Sequence, residues 1–323
     1  MLYLNSKDIL SAITFEEVME AIEEAYKLYE KNQYDAPSRI HIDHGDKKTL
    51  LFMPCFTENV FGTKILTYFP ENPKKGKPVL DGLMLLNDIE TGEPICIIDG
   101  KALTKVRTGA VGGVGIKNTT PENIKTLGLV GTGVQGFYQV LYACTVRKFE
   151  KVYVFHMLKD KAEEFKERLE KELPEVEIIV SDTVEEMVKS SEVIITATTS
   201  NKPVLPDDPE LLKGKHFIGI GSYKPFMREF PDALSKVVDT VLIDTEFAKE
   251  ESGDLCIPME SGLLKEDKVL SFGEFLLNCE HKEKVVSGTT LYKSVGMALF
   301  DITASRLIYE RAKAKGIGQN IEL

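Results

Sequence analysis

The chain has 323 residues, is 43% hydrophobic and 28% charged, and carries a formal net charge of −11. That length suits two domains of roughly 100–200 residues each. An acidic balance with only short lysine runs, such as Lys74-Lys75-Gly76-Lys77, argues against nucleic acid or an anionic membrane as partner. The cysteines Cys55, Cys96, Cys144, Cys256 and Cys279 form no C-x-x-C pair, which speaks against a zinc ribbon or disulfide framework and for a reducing compartment. No apolar run reaches the roughly 18 residues of a membrane span. The first residues, MLYLNSKDIL, lack the basic and apolar regions of a secretory signal. A cytoplasmic protein is therefore expected.

Residues 14–32 place Phe15, Val18, Met19, Ile22, Ala25, Tyr26 and Tyr29 at helical spacing. From Arg39 the period changes: Arg39, His41 and Asp43 alternate with Ile40 and Ile42, the pattern of a half-buried strand. Strand-like runs follow at 49–56, 62–69, 80–87 and 94–99, separated by turn residues. Successive strands with short connections imply an antiparallel sheet. Residues 102–117 are small and apolar but hold glycines that cost helix propensity. A helix there requires very close packing on a neighbour. Thr119-Thr120-Pro121-Glu122 reads as a hinge.

Beyond the hinge, strands and helices alternate. Strands are expected at 126–130, 151–155, 177–180, 193–196, 216–220 and 240–243, with helices at 160–173 and 184–190 among those between them. Short β-branched strands of this kind suit a parallel sheet covered on both faces. Residues 294–315 are helical again and are expected to return to the first domain. The fold class expected is α/β: a Rossmann-type doubly wound parallel sheet at 120–291. To it is added a discontinuous α+β domain with an antiparallel sheet at 1–119 and 292–323.

The strongest motif follows the first of the parallel strands: Gly131-Thr132-Gly133-Val134-Gln135-Gly136. Strand, glycine turn and helix in that order are the context of a dinucleotide site. Gly131 serves the tight turn, Gly133 lets the backbone approach a pyrophosphate, and Gly136 lets the helix pack on the strand. The helix N-terminus then faces the phosphates. Two further strand ends, Thr198-Thr199-Ser200 and 219–223, converge on the same edge. The ribose-binding acid expected about 20 residues past the fingerprint is replaced by His156, with Lys159 close behind. NAD and NADP both remain open, with NADP(H) slightly favoured, because no carboxylate stands there to repel a 2′-phosphate.

Three cations stand out in the first domain: Arg39, Lys64 in an otherwise apolar run, and Arg107 among small residues. An arginine fork suits a carboxylate. A lysine with its pKa lowered by burial can move a proton near neutral pH. Taken singly, each reads equally well as a structural salt bridge. His41 and His44, three apart on a strand, point to opposite faces, so no metal site is expected.

These residues resemble the ornithine cyclodeaminase/mu-crystallin family, which includes archaeal-type alanine dehydrogenases and ketimine reductases. The likeness runs nearly end to end. It covers Pro37-Ser38-Arg39, Met53-Pro54, Gly62-Thr63-Lys64 and Asn87-Asp88-Ile89-Glu90-Thr91-Gly92. It continues through Leu103-Thr104-Lys105-Val106-Arg107-Thr108-Gly109-Ala110, the glycine fingerprint, Thr196-Ala197-Thr198-Thr199-Ser200 and Lys293-Ser294-Val295-Gly296 with Asp301. The resemblance implies a homodimer paired through the antiparallel sheet. It implies Arg39, Lys64 and Arg107 at the substrate carboxylate and reacting atoms, Lys64 as the catalytic lysine, and Met53 in the substrate pocket. It also implies a cofactor held by Thr108, Gly131, Thr132, Gly133, Val134, Gln135, Gly136, His156, Lys159, Thr198, Thr199, Gly221, Ser222, Ser294, Val295 and Gly296.

One departure matters. Where ornithine cyclodeaminases carry an Asp two residues before a proline, this chain has Tyr223 before Pro225. A phenol of pKa about 10 donates a proton where a carboxylate would accept one. That suits hydride delivery to a C=N bond better than cyclodeamination, and Tyr223 reads as a second catalytic residue or a pocket wall. The expectation is an NAD(P)-dependent oxidoreductase acting on the C–N bond of a small L-amino or imino acid. The alternatives are an ornithine cyclodeaminase and an NADPH-dependent ligand-binding protein of mu-crystallin type.

Overall fold

A computed structural model describes residues 1–37, 39–45, 48–278 and 282–322. Ser38 of the Pro37-Ser38-Arg39 motif and Cys279 lie outside the described residues. By packing, the chain divides into two units. One is built from Met1–Arg107 and the stretch from Met297 onward, the other from Thr108–Gly296, so the division falls inside the helix Gly100–Thr119.

The first unit holds strands β1 (Leu2–Leu4), β2 (Ile40–His44), β3 (Lys48–Phe56), β4 (Val60–Tyr68), β5 (Leu80–Asp88) and β6 (Pro94–Asp99). Strands β2 to β6 pair antiparallel in chain order, and β1 joins β6 in parallel. Burial alternates along β4, where Val60, Gly62, Lys64 and Leu66 face inward. Lys64 thus occupies a position that the pattern assigns to an apolar side chain. Helix Ala298–Lys315 packs over β3, β4 and β5. Helix Phe15–Glu30 lies against it, with Tyr26 edge-on to Phe300 at 5.0 Å. A reciprocal cap sets the start of that helix: Thr14 Oγ1 accepts from the Glu17 N–H, and Glu17 Oε2 from the Thr14 N–H.

The second unit is a sheet of β7 (Thr126–Val130), β8 (Lys151–Phe155), β9 (Glu177–Val180), β10 (Val193–Thr196), β11 (His216–Gly219), β12 (Thr240–Ile243), β13 (Val269–Ser271) and β14 (Thr290–Lys293). Their order is β9-β8-β7-β10-β11-β14-β12-β13, and every neighbouring pair is parallel. Strand order reverses between β7 and β10, the position where open α/β sheets bind ligands at their carboxyl ends. One apolar layer beneath the sheet includes Ile194, Phe217, Phe230, Leu234, Val241 and Leu291.

The glycine-rich stretch is helical. Gly109 and Gly112 sit against Tyr142 and Gln139 of the helix Val134–Val146, and Gly115 sits against Tyr292 of β14. Their spacing of three keeps them on one helical face, and absent side chains allow the close approach that offsets poor helix propensity.

Three features depart from the pattern reading. β2 is exposed along its whole length, with Ile40 and Ile42 at 45% and 51% exposure, because it is the last strand of its sheet. β1, β13 and β14 were not anticipated, and β14 lies inside the parallel sheet between β11 and β12. Its four residues, all buried, end in a lysine and carry no alternation. The last long helix begins at Ala298, not 294, because Ser294 to Met297 form an extended turn through Gly296 at φ 79°.

A Cβ on Gly112 would fall 1.7 Å from Gln139 Oε1, and Gln139 is fully buried and donates to the Thr108 carbonyl. Gly112→Ala should cost about 1–3 kcal/mol of stability, measured by urea unfolding; an unchanged midpoint would contradict this packing.

Candidate active site

In the first unit the elements described bring three predicted residues together. The Lys64 ammonium lies 2.6 Å from Asp301 Oδ2, and Arg107 Nε donates to Asp301 Oδ1 at 2.9 Å. Lys64, Arg107 and Asp301 are 1%, 8% and 0% exposed. Half-buried Arg39, just before β2, adds a third positive charge to their field. Met53 and Met84 are the cross-strand partners of Lys64 on β3 and β5, both buried, so they share its face of the sheet. Burial pushes the Lys64 pKa down to about 8; Asp301 opposes the shift, while Arg107 and Arg39 add to it. Burial raises the Asp301 carboxyl, but Arg107 and Lys64 outweigh it and leave its pKa below the usual value. Asp301 was visible in the sequence only as a motif member. Its role appears once the helix carrying it is laid over β4.

In the second unit the fingerprint occupies the end of β7. Gly131 has φ 114°, and a Cβ there would meet the Ala197 carbonyl oxygen at 2.5 Å. Gly136 lies under the Gly131 carbonyl oxygen, 1.9 Å from its own missing Cβ. Gly133 is different: a Cβ there would meet nothing within 4 Å. It is the N-cap of the helix Val134–Val146 and supplies no side-chain cap. Open space beside an N-cap that supplies no side chain, at a helix N-terminus, fits a dinucleotide pyrophosphate. At the end of β8, His156 Nδ1 accepts from the Leu158 N–H at 2.9 Å, and Lys159 pairs with Asp182 at 2.7 Å on the surface.

Buried carboxylates hold the other predicted loops. Glu229 accepts from the N–H groups of Thr198, Gly221 and Ser222, so it ties together the ends of β10 and β11. Asp244 Oδ2 accepts from Ser294 Oγ and from the N–H groups of Val295 and Gly296. Asp254 Oδ1 accepts from the N–H groups of Glu229 and Phe230, and its Oδ2 lies 3.2 Å from the fully buried Lys293 ammonium. Burial raises the Glu229 pKa; Lys293 counteracts this, and Asp254 adds to it. None of the three carboxylates was picked out from the sequence. Asp244 carried a weak signal, since it directly follows a parallel strand. Tyr223 is 38% exposed on the loop after β11, with the Lys224 ammonium 5.9 Å from its ring centre. Thr108 belongs to the Gly100–Thr119 helix, and its carbonyl accepts from Gln139. Thr199 directly follows Thr198, whose N–H Glu229 holds.

Among the described residues no group of three His, Cys, Asp or Glu side chains is placed to hold a metal ion. No described helix is long and apolar enough to cross a membrane.

A parallel sheet of this order with a glycine fingerprint at its switch point defines the Rossmann class of α/β proteins. The chain belongs to the Ornithine cyclodeaminase/mu-crystallin family, whose profile matches residues 2–316. It is 32% identical to a Delta(1)-pyrroline-2-carboxylate reductase of Bacillus cereus, over 100% of both chains. The structure of the Thermococcus litoralis Delta(1)-pyrroline-2-carboxylate reductase, in complex with NADH and L-proline, is similar with a TM-score of 0.90 and 31% identity, over 99% of this chain and 100% of that one. An archaeal alanine dehydrogenase dimer with bound NAD is similar with a TM-score of 0.88 and 28% identity, over 100% of this chain and 99% of that one.

Asp301→Asn would leave two buried cations without their counter-charge and should lower stability by about 3–5 kcal/mol; urea unfolding of the variant measures it, and a near-wild-type value would refute the triad. Gly133→Ala should keep stability within about 1 kcal/mol of wild type yet weaken NADH binding, followed by nicotinamide fluorescence. Undiminished binding would remove this loop from the cofactor site.

Proposed function

We propose that this protein is an NAD(P)-dependent reductase of small cyclic imino acids, with Δ1-pyrroline-2-carboxylate as leading substrate and L-proline as product. The observation that carries the reading is Lys64, buried and paired with Asp301, which also pairs with Arg107, and with its pKa lowered to about 8. The relatives named pyrroline-2-carboxylate reductase, matched over the whole chain, support it.

In the proposed mechanism the fingerprint residues Gly131, Gly133 and Gly136 would hold a reduced nicotinamide dinucleotide, which would supply a hydride. Arg107 uses Nε for Asp301, and its terminal nitrogens, with Arg39, hold the substrate carboxylate. Lys64, as the ammonium, donates a proton to the imine nitrogen as the C=N bond becomes a C–N bond. In the reverse direction the neutral amine of Lys64 takes that proton back. Asp301 orients the Lys64 Nζ and keeps its pKa from falling further. Met53 and Met84, buried on the same face of the sheet, keep the surroundings of Lys64 apolar. Tyr223 is a second proton donor or a pocket wall. The first unit is the substrate-binding and dimerisation domain of a homodimer, and the second holds the dinucleotide. Both NADH and NADPH are accepted, because His156 stands at the end of β8 where a ribose-binding acid would exclude a 2′-phosphate.

With Lys64 titrating at about 8, imine reduction should fall as pH rises through that value, because the ammonium is the donor. Amine oxidation should rise through the same range, because the neutral form is the acceptor. Lys64→Ala should lower imine reduction by roughly 10²–10⁴-fold. The measurement is consumption of NADH or NADPH with five- and six-membered cyclic ketimine carboxylates. Full activity in Lys64→Ala, or ammonia release from ornithine with no net change in cofactor, would overturn this function.

A further inference from the structure

The second unit contains a buried ionic cluster that the proposed chemistry does not touch. Glu229, Asp254 and Lys293 are 0%, 4% and 0% exposed. Burying two carboxylates and one ammonium is costly unless they are paired and hydrogen-bonded; Lys293 Nζ and Asp254 Oδ2 are held by their 3.2 Å ion pair alone, while the hydrogen bonds of Glu229 have a direction. Glu229 Oε1 accepts from the Thr198 N–H at 2.7 Å, and Oε2 from the Gly221 and Ser222 N–H groups at 2.8 and 3.1 Å. Both oxygens therefore face the loops that end β10 and β11, on either side of one carboxylate. Asp254 holds the backbone of Glu229 itself, through the N–H groups of Glu229 and Phe230. The loops are also in backbone contact. A Cβ on Gly221 would fall 2.1 Å from the Thr198 carbonyl oxygen, and one on Gly131 would fall 2.5 Å from that of Ala197. The ends of β7, β10 and β11 thus stack at the switch point, and Glu229 is the side chain that fixes the spacing of the last two.

We propose that Glu229 is a positioning residue for the dinucleotide: it holds the Thr198 and Gly221-Ser222 backbones at the separation that the cofactor requires, without touching it. The proposal rests on the reading of the fingerprint as a dinucleotide site. A glutamine at 229 has one carbonyl oxygen and one amino group, so an N–H of one loop must face an N–H of the side chain, and that loop is pushed away.

The test is direct titration of the purified full chain with NADH, followed by nicotinamide fluorescence, for wild type, Glu229→Gln, Glu229→Asp and Leu169→Ala. Leu169 is fully buried in the helix Lys159–Glu172, and its truncation is a control for lost stability alone. Glu229→Asp keeps the charge opposite Lys293, and so folds even if Glu229→Gln does not, but is one methylene too short to reach both loops. The expected result is an NADH Kd raised about tenfold or more in either Glu229 variant, the effect of one buried donor left unsatisfied. The KM for the imine should stay near wild type, and Leu169→Ala should bind NADH normally. Wild-type affinity in a folded Glu229 variant would overturn the proposal, as would an equal loss in Leu169→Ala. Failure of the wild-type chain to bind either NADH or NADPH would instead overturn the dinucleotide reading on which it stands.

Discussion

The buried ion group of Asp301 with Lys64 and Arg107 constrains the rest of the first unit. Charges so far from water persist only when each is paired, so the residues that carry them must be delivered to one point from three elements. β4 brings Lys64, the Gly100–Thr119 helix brings Arg107, and the Ala298–Lys315 helix brings Asp301. The discontinuity of this unit follows. The helix near the end of the chain packs on a sheet formed near its beginning, because the counter-charge for that sheet resides on it. One carboxylate shared between two cations also sets the proton affinity of Lys64, since removing either cation or the anion shifts the balance of burial against attraction.

The second unit applies the same physics to backbone. Glu229, Asp244 and Asp254 each gather N–H groups of loops at the carboxyl edge of the sheet. Loops normally gain definition by lying on a scaffold. Here they are also drawn inward onto fixed anions, so their conformation is set before any ligand arrives. Preorganisation of that kind lowers the ordering cost of binding.

Much of this was legible in the sequence, and the limit has a physical cause. The parallel strands from β7 to β10 follow from short β-branched runs bounded by turn residues, because period and composition are local properties. The glycine fingerprint was equally plain, since its meaning lies in adjacent residues. The partners of the buried charges were not legible. Asp301 is 237 residues from Lys64 and 194 from Arg107, and nothing local distinguishes it from a solvated aspartate on a helix. Glu229 was hidden for the same reason, and Lys293 was visible only as a motif member: a charged residue reads as surface until its counter-charge is found. β14 escaped notice because its run of four residues is short and ends in a lysine, which reads as surface.

The seam between the Gly100–Thr119 helix and its neighbours has a consequence for how the chain can diverge. Its closeness comes from side chains that are missing at Gly109, Gly112 and Gly115, facing large ones at Tyr142, Gln139 and Tyr292. A change of size on one side carries a packing cost unless the other side changes with it. Drift along this seam therefore favours matched pairs of substitutions over single ones.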